Sequence, residues 1–363
     1  MAPLRLAVIG VGHLGKEHAR ILSSLADVEL VGVVDTNFEQ AQAVARRCGT
    51  QGFNDYWPLL NRIDAAVVAV PTCFHHAVAS ALLPRGIPLL VEKPLAPTLE
   101  QAEELVALAR RHSVVLQVGH IERFNPALEE LERRPLQPKF IECERCGPFT
   151  GRSMDIGVVL DLMIHDLDVL LALTKSSVTR VEALGLTIFG KVEDLCHVRL
   201  HFANGCVANV SASRVHPSPT RQMRLWGPEG FAQLDFAQRS LKLIQPSARM
   251  RQHPFELRAL DPATMAMLKN EMFGRHLQVL QLDCNQGDQL TRELQDFIHC
   301  VRTGAQPRVS GEAGRDAIAL AERIQASARN HAWTGDPVGP RGPNELPAPL
   351  GMLFPPAPES AAA

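Results

Sequence analysis

Leu4-Arg5-Leu6-Ala7-Val8-Ile9 runs directly into Gly10-Val11-Gly12-His13-Leu14-Gly15, a short apolar stretch that ends in a Gly-x-Gly-x-x-Gly loop. A buried strand, this loop and a helical run in succession form the opening unit of a dinucleotide-binding domain. Gly10 permits the tight turn, Gly12 lets backbone approach a pyrophosphate, and Gly15 allows close packing of the next helix. Phosphate then sits among the free amides of a helix N-terminus, with His13 and Leu14 on the loop beside it. Asp35 ends the following apolar run, Glu29 to Val34, twenty residues beyond Gly15. A carboxylate there can accept from both adenosine ribose hydroxyls and repels a 2′-phosphate, so NAD is favoured over NADP. Gly10 to Lys16 also satisfies Gly-x-x-x-x-Gly-Lys, but Glu17 stands where a P-loop needs Ser or Thr for magnesium.

Outward from this loop, Ala65 to Val70, Pro88 to Val91 and Val114 to Val118 read as further strands buried on both faces. Leu14 to Leu25, Phe38 to Arg47, His75 to Leu83 and Leu99 to His112 read as the intervening helices. The alternation predicts an α/β Rossmann domain with a doubly wound parallel sheet over residues 1–122. The rhythm then changes: Phe140 to Cys146, Val198 to Phe202, Val207 to Ser213, Met223 to Trp226 and Phe231 to Phe236 are strand-like, with turns at Asn204-Gly205 and Gly227 to Gly230. Val158 to Leu173, Pro262 to Phe273, Asp288 to Thr303 and Gly311 to Arg329 read as helices, the rest of 246–283 staying unassigned. Residues 123–332 are therefore expected to form an α+β substrate domain around a large, mostly antiparallel open sheet. Residues 333–363, with eight prolines from Gly335 onward, read as a flexible tail.

Of 363 residues, 21% are charged and the net charge is -2, which points away from a nucleic-acid partner. The oiliest stretch, Val158 to Leu173, carries Asp161, His165, Asp166 and Asp168, so no membrane insertion is expected. Leu6 to Ile9 leads straight into the glycine loop, leaving no removable leader and giving a cytoplasmic address. The eight dispersed cysteines are expected to be reduced. Cys143 and Cys146 lie three apart on a strand and face opposite ways, so no metal site is assigned.

Two further features carry chemistry. Glu92-Lys93-Pro94 follows a strand, which puts the Lys93 ammonium at the carboxyl end of the sheet, where open α/β folds bind ligands. Asp161 and His165 lie four apart in a helical stretch, an arrangement that projects a carboxylate and an imidazole from one face and suits proton transfer. In isolation the plainer readings are favoured: a surface lysine with a partner glutamate for Lys93, and a surface pair or a satisfied core histidine for Asp161 and His165.

Taken in order, Gly10 to His18 as Gly-x-Gly-x-x-Gly-x-x-His, Pro71-Thr72-x-x-His75, Glu92-Lys93-Pro94 and Gly157-x-x-x-Asp161-x-x-x-His165 resemble the Gfo/Idh/MocA oxidoreductases, over roughly residues 4 to 330. The resemblance implies catalytic roles for Lys93, Asp161 and His165 around the sugar carbon that loses hydride. It places Pro71, Thr72, His75, Glu92, Lys93 and His120 at the cofactor. Ile121 departs from the family, standing where many members carry Asn. The segment from Gly119 to Pro126, with Gly147 to Ser153, is similar to a branch acting on nucleotide sugars, the UDP-N-acetylglucosamine 3-dehydrogenases. Arg123, Asn125 and Arg152 are accordingly assigned to the substrate, the guanidinium groups of Arg123, Arg152 and Arg214 being candidates for its pyrophosphate. The expected activity is oxidation of one sugar hydroxyl to a ketone, at C3 of a UDP-N-acetylhexosamine. The alternatives are an inositol or simple hexose dehydrogenase and a noncatalytic NAD-binding regulator. Family likeness and the uncovered face of the second sheet imply a homodimer or homotetramer, and a keto product would suit a downstream aminotransferase.

Overall fold

The computed structural model describes residues 2–134, 136–151, 156–189, 191–252, 261–285, 287–336 and 338–345. Six parallel strands form the first sheet: β1 (Leu4–Ile9), β2 (Val28–Val34), β3 (Gln51–Phe53), β4 (Ala65–Val68), β5 (Leu89–Glu92) and β6 (Leu116–Gly119). Their order, β3-β2-β1-β4-β5-β6, is that of a dinucleotide-binding domain, with its switch point between β1 and β4. Every residue of β4, β5 and β6 is buried, because helices cover both faces. These are α1 (Gly15–Leu22), α2 (Phe38–Cys48), α3 (His75–Leu82) and α4 (Leu99–Arg111), alternating with the strands as expected.

The second sheet follows α5 (Pro126–Glu132) and contains β7 (Phe140–Cys146), β8 (Val178–Leu186), β9 (Leu195–Phe202), β10 (Val207–Ser213), β11 (Thr220–Gly227), β12 (Gly230–Asp235), β13 (Ser240–Pro246) and β14 (Leu277–Asp283). In the order β14-β13-β12-β11-β7-β10-β9-β8 all pairs are antiparallel except β7 with β10. Gly205 takes φ +81° in the turn between β9 and β10, as the Asn204-Gly205 dipeptide requires. Between β7 and β8, a π-helical turn (Val159–Met163) leads into α6 (Ile164–Thr174). The short α7 (Ala248–Gln252) and α8 (Pro262–Glu271) separate β13 from β14.

The chain then returns to the first sheet. On α9 (Gln289–Thr303), Leu290, Leu294, Phe297 and Ile298 join Leu6, Val8, Ala19 and Leu22 in one apolar cluster. On α10 (Gly311–Asn330), Ala317, Ile318, Ala321 and Ile324 belong to the larger core shared by both sheets. Although α9 lies within the expected second domain by sequence, its packing makes it a wall of the nucleotide domain. Part of the expected flexible tail is also anchored. Trp333 N–H donates to Pro340 O and Trp333 Nε1 to Gly342 O, while Thr187 N–H next to β8 donates to Pro343 O. Backbone hydrogen bonds and one indole supply here the order that apolar periodicity does not. Among the described residues, no helix is long and apolar enough to cross a membrane.

Candidate active site

The glycine loop has the geometry its residue types demand. Gly10 takes φ +86°, and a Cβ there would lie 2.7 Å from the Ala69 backbone. A Cβ on Gly15 would lie 1.9 Å from Gly10 O, whereas one on Gly12 would meet nothing within 4 Å. The open space at Gly12, with exposed His13 and Leu14 beside it and α1 beginning at Gly15, is the cradle a pyrophosphate needs. Asp35, half-buried, accepts from Val11 N–H at 3.0 Å and from Gln40 Nε2 at 3.1 Å through Oδ2, and from Asn37 N–H at 2.9 Å through Oδ1. These bonds aim the carboxylate and tie it to the loop. A dinucleotide fits: Gly10, Gly12, Gly15 and the α1 N-terminus would hold the pyrophosphate and Asp35 the adenosine ribose.

Behind the loop lies a buried polar cluster. His18 on α1 meets Glu92 at the end of β5, Nε2 to Oε1 2.8 Å, and both are nearly or fully buried. Glu92 Oε2 accepts from Lys93 N–H at 3.2 Å. Burial opposes ionisation of Glu92, but the His18 contact and the Lys93 charge together hold its carboxyl below the usual range. Glu293 of α9, fully buried, offers a third donor atom within 4.8 Å of the other two, and neither of its oxygens has a partner. Burial and the charge of Glu92 push its carboxyl well above the ordinary value, so Glu293 is held neutral.

His75 points away from solvent, with Nδ1 2.7 Å from Pro94 O and Nε2 2.9 Å from Val70 O. It clamps the turn after β5 to the end of β4, and Pro71 and Thr72 lie on that same β4–α3 connection. Burial depresses its pKa. A neutral ring can donate to only one of those carbonyls.

Lys93 crosses to the second sheet's side of the cleft. Its Nζ donates to Asp161 O at 2.7 Å and to Asp161 Oδ1 at 3.1 Å. His165 is half-buried; its Nδ1 is enclosed without a partner, and the nearest ring is that of His120, 6.1 Å between centroids and edge-on at 89°. Burial and then the charges of Lys93 and Arg145 hold the His165 pKa well below its usual value.

The expected Asp161–His165 pair is not formed. Asp161 lies in the π turn, and its side chain is turned to the Lys93 ammonium, with no hydrogen bond to His165. Asp161 instead holds Lys93. His120, expected at the cofactor, is completely buried behind this pair. Asn125, expected at the substrate, is also fully buried: its Oδ1 caps α5 through Ala127 N–H, and its Nδ2 donates to Glu122 Oε2 and Phe236 O. Arg123 contacts Asp168 at 3.5 Å and Arg308 O at 3.4 Å. Arg214 pairs with Asp194 at 2.6 Å and with Ile156 O. Both guanidinium groups are thus engaged structurally, and Arg152 lies outside the described residues.

The comparisons follow the same lines. Residues 4–120 match the GFO/IDH/MocA oxidoreductase family, NAD-binding Rossmann fold, and residues 138–233 match the GFO/IDH/MocA C-terminal domain. The UDP-N-acetylglucosamine 3-dehydrogenase of Acidithiobacillus ferrooxidans is 33% identical over 328 residues, 90% of this chain and 98% of that protein. This chain belongs to the GFO/IDH/MocA oxidoreductase family. The solved structure of that relative, GnnA, superposes with a TM-score of 0.79, covering 90% of this chain and 98% of the other. The scyllo-inositol 2-dehydrogenase (NAD(+)) of Bacillus subtilis is 30% identical over 234 residues, 59% of this chain and 68% of that one. Levoglucosan dehydrogenase in complex with NADH shares the fold at TM-score 0.76 and 19% identity, covering 90% of this chain and 97% of that one.

Within this GFO/IDH/MocA member, sequence reasoning missed Glu293 and the buried set around Arg145. Arg145 binds Asp166 through two bonds of 2.9 Å and Glu122 through a third. Nothing in the spacing of these residues announces them, since Glu122 and Asp166 are brought to β7 by separate elements. The π turn had no signal either, because it differs from an α-helix by a single inserted position.

Proposed function

We propose that this oxidoreductase is an NAD-dependent dehydrogenase that oxidises one secondary hydroxyl of a nucleotide sugar to a ketone, at C3 of a UDP-N-acetylhexosamine such as UDP-N-acetylglucosamine. The observation that carries the reading is the Lys93–Asp161 pair at the carboxyl end of β5, whose ammonium acts on His165. Likeness to a UDP-N-acetylglucosamine 3-dehydrogenase across nearly its whole length supports the substrate class. NAD, when bound, supplies the hydride acceptor.

Two of the three N–H bonds of Lys93 are taken by Asp161. The third remains for the substrate oxygen, which it orients and whose developing negative charge it stabilises. Asp161 neutralises and aims the ammonium. His165, kept neutral by burial and by neighbouring cations, has a free nitrogen lone pair and takes the hydroxyl proton. Glu92, carrying His18 on one oxygen and Lys93 N–H on the other, fixes the turn from which Lys93 projects. A metal ion has no step assigned to it, since the proton passes to His165. The outer face of the second sheet carries a half-buried row of mutually tilted rings, Phe140, Trp226 and Phe231, with centroids 5.3 and 5.1 Å apart. This face supports a homodimer or homotetramer.

Incubation with NAD and UDP-N-acetylglucosamine, coupled to an aminotransferase and followed by mass spectrometry, tests the reading. Loss of two hydrogens from the nucleotide sugar, trapped as an amine, is the expected result. Turnover of inositol or free hexoses alone would overturn the substrate class, and cofactor binding without turnover on any sugar would overturn the enzymatic reading.

A further inference from the structure

His165 and His120 present three enclosed ring nitrogens without a partner: Nδ1 of His165 and both nitrogens of His120. Unpaired buried polar atoms are rare and costly, and here they lie on adjacent rings. The rings are neighbours, edge-on at 89° with 6.1 Å between centroids, and no hydrogen bond joins them. Catalytic hydrogen bonds commonly stand long before ligands close the site and tighten once it is filled. Asp161, the other group available to orient His165, is occupied by Lys93.

We propose that His120 is the positioning residue for His165, accepting a hydrogen bond from His165 Nδ1–H when the cleft closes around its ligands. This assignment rests on the proposed role of His165 as the proton acceptor. His165 carries its own proton on Nδ1 and donates it to a lone pair of His120, which leaves Nε2 unprotonated. The substrate hydroxyl proton moves to Nε2, and the Nδ1 proton stays where it is. His120 must be neutral to accept. Its surroundings enforce this, since it is fully buried and faces the Lys93 and Arg123 cations, which with burial pull its pKa down to about 3. Charged or titratable groups also act on His165 from every side: Lys93 after β5, Arg145 on β7, Arg221 on β11 and His120 after β6. A carboxylate in place of His120 would raise the basicity of His165. A neutral imidazole fixes the tautomer and leaves that basicity low.

The test uses the full chain saturated with NADH, labelled with 15N-histidine, in wild type, His120→Phe, His120→Asn and His120→Gln, with His165→Asn to assign the His165 signals. Phe keeps the ring's volume without an acceptor; Asn and Gln place an acceptor near the former Nδ1 and Nε2. Long-range 15N–1H spectra are expected to give His165 as the Nδ1–H tautomer in wild type, a shift toward Nε2–H or a mixture in His120→Phe, and recovery in one of the amide variants. Turnover of UDP-N-acetylglucosamine should drop tenfold to a hundredfold in kcat for His120→Phe, roughly the loss expected when a supporting partner is removed, and recover in the same amide variant. NADH affinity should stay unchanged. An Nε2–H tautomer of His165 in the wild-type holoenzyme, or an unaltered tautomer in a folded His120→Phe, overturns the proposal. So does loss of NADH affinity with the tautomer unchanged, which would make His120 part of the cofactor site. Failure of wild type to turn over this sugar counts against the substrate reading alone, because the tautomer is read without substrate.

Discussion

Lys93 Nζ lies 3.1 Å from Asp161 Oδ1 and 2.7 Å from Asp161 O, so a residue at the end of the first sheet is locked onto the π turn that precedes α6. Neither side chain is fully enclosed, and the pair sits where the cleft must admit a sugar. Replacing Lys93 with Met keeps the aliphatic stem and removes the donor. Turnover should fall by roughly two to four powers of ten, with NAD affinity and melting temperature close to wild type. Asp161→Asn, which retains an acceptor, should lose less than Asp161→Ala. Equal losses in the two Asp161 variants would mean that Asp161 does not act by holding the ammonium.

The glycine loop offers a separation of stability from cofactor binding. Gly15→Ala would drive a Cβ to within 1.9 Å of Gly10 O, forcing backbone to move. It should destabilise the fold by about 1–3 kcal/mol, the usual cost of overpacking. Gly12→Ala meets no protein atom within 4 Å and should melt like wild type while binding NAD more weakly. Thermal melts with and without NAD read both effects; a Gly12→Ala variant with normal NAD affinity would place the pyrophosphate elsewhere.

Asp35 accepts two backbone amides, one on each oxygen, so Asp35→Asn removes the charge while keeping one of the two acceptors. Loss of the repulsion toward a 2′-phosphate should narrow the preference for NAD over NADP by about tenfold or more. The ratio of the two Kd values is the measurement. An unchanged ratio would show that Asp35 only shapes the loop.

Glu293 gives a stability prediction with a definite sign. Its folded pKa is raised above the ordinary 4.5 by burial and by Glu92. Its contribution is therefore fully present below pH 4.5 and is lost as pH rises through the folded value, because the unfolded chain ionises first. Glu293→Gln cannot ionise. Its melting temperature relative to wild type should climb as pH rises from 4.5 and level off above the folded pKa. A difference that stays constant across pH would mean that Glu293 does not hold a proton at neutrality.

Much of this was legible in the chain itself. β1, α2, α4 and α10 follow from apolar periodicity, and the structure adds the caps Asn37, Thr98 and Ser310, all of which accept from the first turn of their helix. The expected pairing of Asp161 with His165 failed because a tertiary partner, Lys93 from the end of β5, takes the carboxylate, which local spacing cannot reveal. β3 escaped because three residues carry no readable period. β14 escaped for another reason: it is an edge strand with most of its side chains outside the core, so its apolar positions do not face one way. The position of Lys93 directly after β5 was readable because it depends only on a strand end. The protein partners of Asn125 and Arg123 were not readable, because whether a polar side chain faces a ligand or a buried partner depends on contacts across more than a hundred residues, as Asn125 with Phe236 illustrates.

His165 gives the most decisive prediction, because activity and stability should move in opposite directions. As the proton acceptor it must be neutral, and burial with the Lys93, Arg145 and Arg221 charges places its pKa well below 6.5. The acid limb of kcat/KM should therefore lie well below pH 6.5, with activity level through neutrality. Its depressed pKa also costs stability in acid: the unfolded chain binds the proton first, so wild type weakens as pH falls from about 6.5 toward the folded value. His165→Asn removes that weakening along with the base. The variant should lose roughly two to four powers of ten in turnover at pH 7, keep its NAD affinity, and gain melting temperature relative to wild type as the pH is lowered to 5. If His165 were an ordinary core residue, the same change would lower the melting temperature and leave turnover per folded molecule near normal. Measuring both on one preparation, from pH 5 to 8, decides between these outcomes, and full turnover in the folded variant would shift the acceptor role to Lys93.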